Sequence, residues 1–155
     1  MAEIFEKSLD VRWADVDANR HMRHSAYADF AAFSRVGFFE ARGFDMKRFA
    51  ELDIGPILFR EELVYRREIL MFETITITCR LAGLSKDAER WSIYHELLKS
   101  DGQLAATIHV DGAWIDLPSR KLCAPPLELM NTMLSLEKTP DFAHIPVKSP
   151  PEIHK

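Results

Sequence analysis

Cysteine is scarce in this 155-residue chain: only Cys79 and Cys123 occur, without the close spacing of a zinc motif. The N-terminal Met-Ala-Glu-Ile-Phe-Glu-Lys contains no apolar signal region, so free thiols in a reducing cytoplasm are expected. No apolar run approaches the roughly 18 residues of a membrane span, and no bilayer crossing is expected. A dense Lys/Arg stripe is also absent and the formal net charge is only -4, which weakens an electrostatic case for nucleic acid or anionic membrane. No Gly-x-Ser-x-Gly elbow appears, which disfavours a Ser-His-Asp hydrolase. Nor does His-Glu-x-x-His, so neither a metal nor a cofactor is implied. Internal repeats, low-complexity tracts and linkers are missing as well, and the length suits one domain with one core.

What the chain does contain is an ordinary globular balance, with 47% hydrophobic and 28% charged residues. Ile4 to Trp13 is short enough for a first strand. Ser25 to Arg42 is long, free of proline and followed by Gly43, which predicts a helix. Bulky Tyr27, Phe30, Phe33, Phe38 and Phe39 share it with small Ala28, Ala31, Ala32, Ser34 and Gly37, which suggests a sheet pressed against it. Met46 to Leu52 reads as a short helix.

Strands follow. Ile57 to Arg67 is one; from Glu73 to Leu81, Ile75, Ile77, Cys79 and Leu81 alternate with polar partners. Trp91, Ile93, His95 and Leu97 keep the same period, and Ser100-Asp101-Gly102 turns the chain into Leu104, Ala106, Ile108 and Val110. Gly112 predicts a bulge or bend. Pro125 to Leu136 fits a short helix with Leu127, Met130, Met133 and Leu134 facing inward. Pro140, Pro146, Pro150 and Pro151 mark a tail. The order predicts an α+β fold in which a curved antiparallel five-stranded sheet wraps one long helix.

Chemistry concentrates between the first strand and the helix. Val11 to Tyr27 gathers Asp15, Asp17, Asn19, His21, His24 and Tyr27 just ahead of a helix start. First-turn N–H groups of a helix lack intrahelical partners and carry partial positive charge, so an oxyanion settles there. Acyl transfer needs such donors together with a nucleophile or general base. Structural roles compete: Asp17 or Asn19 capping a turn, Ser25 capping the helix, Tyr27 filling the core, His21 or His24 simply packed. Asp15 is a competing carboxylate.

The stretch Asp17-Ala-Asn19-Arg-His21-Met-Arg-His24-Ser-Ala-Tyr27 resembles the active-site segment of hotdog-fold thioesterases of the 4-hydroxybenzoyl-CoA thioesterase type, and acyl-carrier thioesterases share a similar stretch. Tyr65 to Glu73 resembles the family's second strand, turn and third-strand entry. The sequence departs from the pattern where relatives carry asparagine in place of Arg23 and His24, or glycine in place of Asn19 and Arg20. The resemblance implies one hotdog thioesterase-like domain over residues 1–136, with 137–155 as a Pro-rich C-terminal tail. It implies hydrolysis of an acyl-CoA or acyl-carrier thioester, with Asp17, Asn19 and His24 catalytic and His21, Ser25 and Tyr27 binding substrate. Asp17 would be nucleophile or general base, and the amides around His24 to Ala26 the oxyanion hole. A cytoplasmic homodimer or dimer of dimers sharing its clefts is implied too. Two rivals stay open on the same fold: a non-catalytic acyl-CoA or acyl-carrier binder, and a hydratase or dehydratase. Arg60, Arg66, Arg67, Arg90 and Lys99 are available for CoA phosphates, and a solvated sheet face accounts for them equally well.

Overall fold

The computed structural model describes residue 2 and residues 4–146; Pro150 and Pro151 lie outside the described residues. The chain opens with β1 (Phe5–Asp10) and a single 3-10 turn at Trp13–Asp15, then enters the long helix α1 (His24–Ala41). Gly43 ends α1 with φ +90, and the Phe44 N–H returns to the Phe39 carbonyl at 2.8 Å. The short α2 (Met46–Leu52) is capped by Asp45, whose carboxylate accepts the Arg48 N–H at 2.8 Å.

Four long strands follow: β2 (Ile54–Tyr65), β3 (Thr74–Ser85), β4 (Arg90–Leu98) and β5 (Leu104–Asp116). They pair antiparallel with β1 in the spatial order β1-β3-β4-β5-β2. The period-two pattern fixes which face is buried. Ile75, Ile77, Cys79 and Leu81 of β3 and Ile93, His95 and Leu97 of β4 are wholly inaccessible. The β4–β5 hairpin closes through Gly102 at φ +85.

Against this sheet α1 lays one stripe, in which Ala26, Tyr27, Phe30, Ala31, Ser34, Arg35, Phe38 and Phe39 are buried. Only that stripe is covered: Phe33 and Val36 on the other face are about half exposed. Phe59 and Phe72 are exposed too, whereas Phe30 is buried. Beyond α1 the core is aromatic, with Trp114 packed edge-on to Phe39 and stacked on Phe49.

Three expectations need correction. The sheet has six strands, because β6 (Lys138–Ile145) occupies a region read as tail and runs parallel to the second half of β3. A helix between β5 and β6, α3 (Leu127–Leu134), supplies the crossover that a parallel pair requires. Within α3 the buried residues are Leu129 and Met133, whereas Leu127 and Leu134 are exposed. The bulge expected at Gly112 falls on the opposite strand, between Leu58 and Arg60 of β2. Gly112 serves close approach: a Cβ there would lie 2.5 Å from both the Ile57 carbonyl oxygen and the Trp91 ring. Among the described residues no helix is long and apolar enough to cross a membrane.

Candidate active site

The segment between β1 and α1 is held by backbone pairing as well as by burial of Val11 and Met22 in the core. The Met22 N–H donates to Ile69 O at 2.7 Å, which pins the segment to the β2–β3 connection, and the Arg23 N–H donates to Asp15 O at 2.8 Å, which folds the segment on itself. Asp15 is consumed in this framework. Its carboxylate is buried and takes the Arg12 Nε–H and Nη2–H, both at 3.0 Å, and the Arg12 backbone N–H at 2.9 Å. The guanidinium bonds hold its carboxyl below the usual carboxylate range. A carboxylate so saturated is a structural anchor, which removes it as a competitor of Asp17.

Asp17 is exposed. Its Oδ1 accepts the Asn19 N–H at 2.9 Å and the His21 N–H at 3.4 Å, while Oδ2 has no hydrogen bond among the described residues. One oxygen therefore fixes the side chain in a tight turn and the other is presented outward. Arg20 stands inside that turn at φ +67, a conformation that favours glycine, and its own N–H donates to Asp17 O at 3.0 Å.

Asp17, His21, His24 and Tyr27 line one open cleft of about 360 Å³. Its opposite wall is Tyr65, Arg66, Arg67 and Glu68, from the end of β2 and the turn after it. Two other predicted site residues stand apart from this lining. Asn19 acts through its backbone on Asp17, and the Ser25 hydroxyl accepts from the Arg23 guanidinium.

At the start of α1 the N–H groups of His24 and Ser25 have no acceptor among the described residues, whereas the Ala26 N–H is already spent on Arg23 O at 2.9 Å. The oxyanion donors expected around His24 to Ala26 thus narrow to two. Tyr65 braces this corner: its hydroxyl donates to the His24 carbonyl at 3.2 Å and its ring meets Tyr27 edge-on, centroids 4.9 Å apart. Tyr27 itself is buried, and that burial pushes its phenol pKa up. His21 Nε2 lies 2.8 Å from Glu68 Oε2, so that nitrogen is engaged across the cleft. Among the described residues no group of three His, Cys, Asp or Glu side chains is placed to hold a metal ion.

A family model described as the thioesterase-like superfamily matches residues 11–133. The chain belongs to this superfamily. Solved structures share its fold. A Staphylococcus aureus protein determined in complex with CoA superposes with TM-score 0.80 at 22% identity, covering 100% of this chain and 95% of that one. The 1,4-dihydroxy-2-naphthoyl-CoA thioesterase of Synechocystis gives TM-score 0.77 at 14% identity, over 85% of this chain and 96% of its own. A DHNA-CoA thioesterase of Staphylococcus aureus gives 0.76 at 17%, over 85% and 89%. The comparison with curated proteins yields no match.

For this thioesterase-like chain, sequence reasoning missed the far wall of the cleft. Tyr65 and Glu68 were placed in a strand and turn without a part in the site, because their contribution depends on that turn standing opposite His21 and His24. Arg66 and Arg67 were visible as charges without an assignment. Neither guanidinium makes a hydrogen bond or ion pair among the described residues, whereas Lys99 reaches Glu68 O at 2.8 Å and Arg60 pairs with Glu62 at 2.6 Å. Arg90 lies over the Phe59 ring, 5.2 Å from its centroid.

Proposed function

We infer that the protein hydrolyses an acyl-CoA thioester, or one on an acyl carrier, at the Asp17 cleft. The observation that carries this is the meeting, in one cleft, of a carboxylate with an unbonded oxygen and His24, the first residue of a helix whose first N–H groups are unspent. The thioester carbonyl oxygen would sit on the His24 and Ser25 amides, which strengthen as negative charge develops there. Asp17 Oδ2 then either attacks the carbonyl carbon or takes a proton from an attacking water. In the first route the tetrahedral adduct expels the thiolate and becomes an acyl-aspartyl anhydride, which water reopens to the free acid and Asp17. In the second, hydroxide adds directly and the same thiolate departs. Arg66 and Arg67 supply guanidinium groups at the cleft for the phosphates of CoA.

We further infer a homodimer built through β2, with a dimer of dimers as its extension. This long strand is an outer edge of the sheet and exposes Leu58, Phe59, Val64 and Tyr65, the kind of edge that invites another strand. Antiparallel pairing of two copies would bring the start of β2 in one protomer beside the Tyr65 and Arg66 wall of the other, so each cleft would be completed by its neighbour.

A second reading has one observation in its favour: His21 and Glu68 form a histidine–carboxylate pair inside the cleft, the constellation a hydratase would use. Thiol release from a panel of aromatic and aliphatic acyl-CoAs, run beside an enoyl-CoA hydration assay, separates the readings. Thiol release without hydration supports hydrolysis. Hydration without thiol release, or tight acyl-CoA binding with neither, would overturn it.

A further inference from the structure

A groove of about 550 Å³ lies on the side of the sheet away from β2, between α3, β6 and the last residues of β3. It shares no lining residue with the Asp17 cleft, which opens before the other end of β3. That strand is 12 residues long, so roughly 35 Å of strand separates the two sites. β6 also lies beyond residue 133, where the match to the superfamily ends.

The walls are largely apolar and include Leu84, Met130, Leu134 and Phe142. α3 buries Leu129 and Met133 in the core, whereas Leu134 lines the groove and stays 42% exposed. An apolar wall left open to water gains free energy when a hydrocarbon chain covers it.

The rim carries one sign of charge. Lys86, Lys138 and His144 line the groove and no carboxylate does. The acids nearest in sequence are committed elsewhere: Asp87 Oδ1 accepts the Ser85 hydroxyl at 2.9 Å and the Glu89 N–H at 3.0 Å, and Glu137 Oε2 lies 3.3 Å from Arg80 Nε. Asp141 lines a separate cleft with Arg80 and Tyr94. The three basic side chains follow one another along the rim. Lys138 Nζ sits 4.5 Å from the Phe142 ring centroid, that ring meets His144 edge-on with centroids 5.3 Å apart, and His144 pairs across to Leu84, two residues before Lys86. Lys86 has no hydrogen bond or ion pair among the described residues, and the Phe142 ring leaves the Lys138 charge in place. Two lysine charges beside an apolar trough suit a head group of about two negative charges on one chain, and lysines hold phosphate as point charges.

We propose that this groove binds an organic phosphate monoester with a single apolar chain, the chain along Leu84, Met130, Leu134 and Phe142 and the phosphate on Lys86, Lys138 and His144. Binding here needs neither a thioester, nor Asp17, nor the pairing of two copies through β2.

The probe is decyl phosphate, kept below its micelle range and set against 1-decanol and inorganic phosphate, each titrated into the full chain by calorimetry. Decyl phosphate is expected to bind at least about tenfold more tightly than either, since the alcohol lacks the charge and the inorganic anion lacks the chain. Both lysines are exposed, so the double variant Lys86→Gln, Lys138→Gln is expected to fold and to bind decyl phosphate and decanol alike. Leu134→Glu, which puts a carboxylate in the wall, is expected to weaken decyl phosphate at least about tenfold and to leave the assembly mass unchanged. No binding, or equal affinity for decyl phosphate and either control, overturns the proposal. So does a preference that survives the lysine changes, or binding that Leu134→Glu leaves unchanged. A smaller assembly for Leu134→Glu in light scattering means that a second copy covers the groove, and overturns it as well.

Discussion

Asp17 and His21 close on each other twice: the Asp17 N–H donates to His21 O at 2.9 Å, and the His21 N–H reaches the Asp17 carboxylate at 3.4 Å. The turn they enclose sets the aim of the one carboxylate oxygen left free for chemistry. Its weak point is Arg20, an L-residue at φ +67. Glycine occupies such a position without steric cost, whereas a β-branched residue clashes there. Arg20→Val is expected to lower stability by about 1–2 kcal/mol, and Arg20→Gly to stay within about 1 kcal/mol of wild type. Thermal unfolding of the two variants checks the ordering.

Of the glycines in the sheet, Gly112 makes the tightest approach, set against the Ile57 carbonyl and the Trp91 ring. Gly112→Ala puts a methyl group inside van der Waals contact with both. A loss of about 2–3 kcal/mol in urea denaturation is expected, since neither the paired strand nor the buried indole can retreat freely. A loss below about 0.5 kcal/mol would mean the strands adjust with ease.

These positions also mark what sequence could and could not disclose. Ile75, Ile77, Cys79 and Leu81 were legible because one face of β3 meets the core along that stretch. From Ala82 to Ser85, where β6 pairs beside β3, successive residues are all buried and the alternation vanishes. β6 itself carries Pro140 and lacks alternation, so nothing local announces it; a proline is tolerated on an outer strand that pairs along only part of its length. Within the site, Asp17 to Tyr27 was legible because half of the cleft comes from one contiguous segment. The wall from Tyr65 to Glu68 is brought there by the return of β2, which no local pattern encodes.

His95 is wholly buried beside Arg35, and loss of solvent together with that positive neighbour lowers its pKa to about 3. The unfolded chain accepts a proton near pH 6.5, which the folded chain refuses. Its contribution to stability is therefore complete above about pH 6.5 and drains at about 1.4 kcal/mol per pH unit as pH falls toward the folded value. His95→Gln is expected to flatten this acid limb while lowering stability at neutral pH. Denaturation midpoints for wild type and variant between pH 4 and 8, in steps of about one unit, test it.

The outer edge of β2 gives a prediction independent of chemistry. Light scattering on the wild type is expected to return at least twice the 17.9 kDa chain mass. Val64→Lys, which places a charge on this exposed edge, is expected to shift the population toward monomer. Turnover would fall in parallel if each cleft borrows a wall from its neighbour. A monomeric wild type at micromolar concentration would contradict the dimer.

The most direct measurement is single-turnover release of thiol from the best acyl-CoA substrate by wild type and by Asp17→Asn, an exchange that keeps the acceptor oxygen of the turn. The variant is predicted to lose at least about a hundredfold in rate with its acyl-CoA affinity nearly unchanged. Equal rates in the two proteins would contradict the assignment of Asp17 and of the cleft built around it.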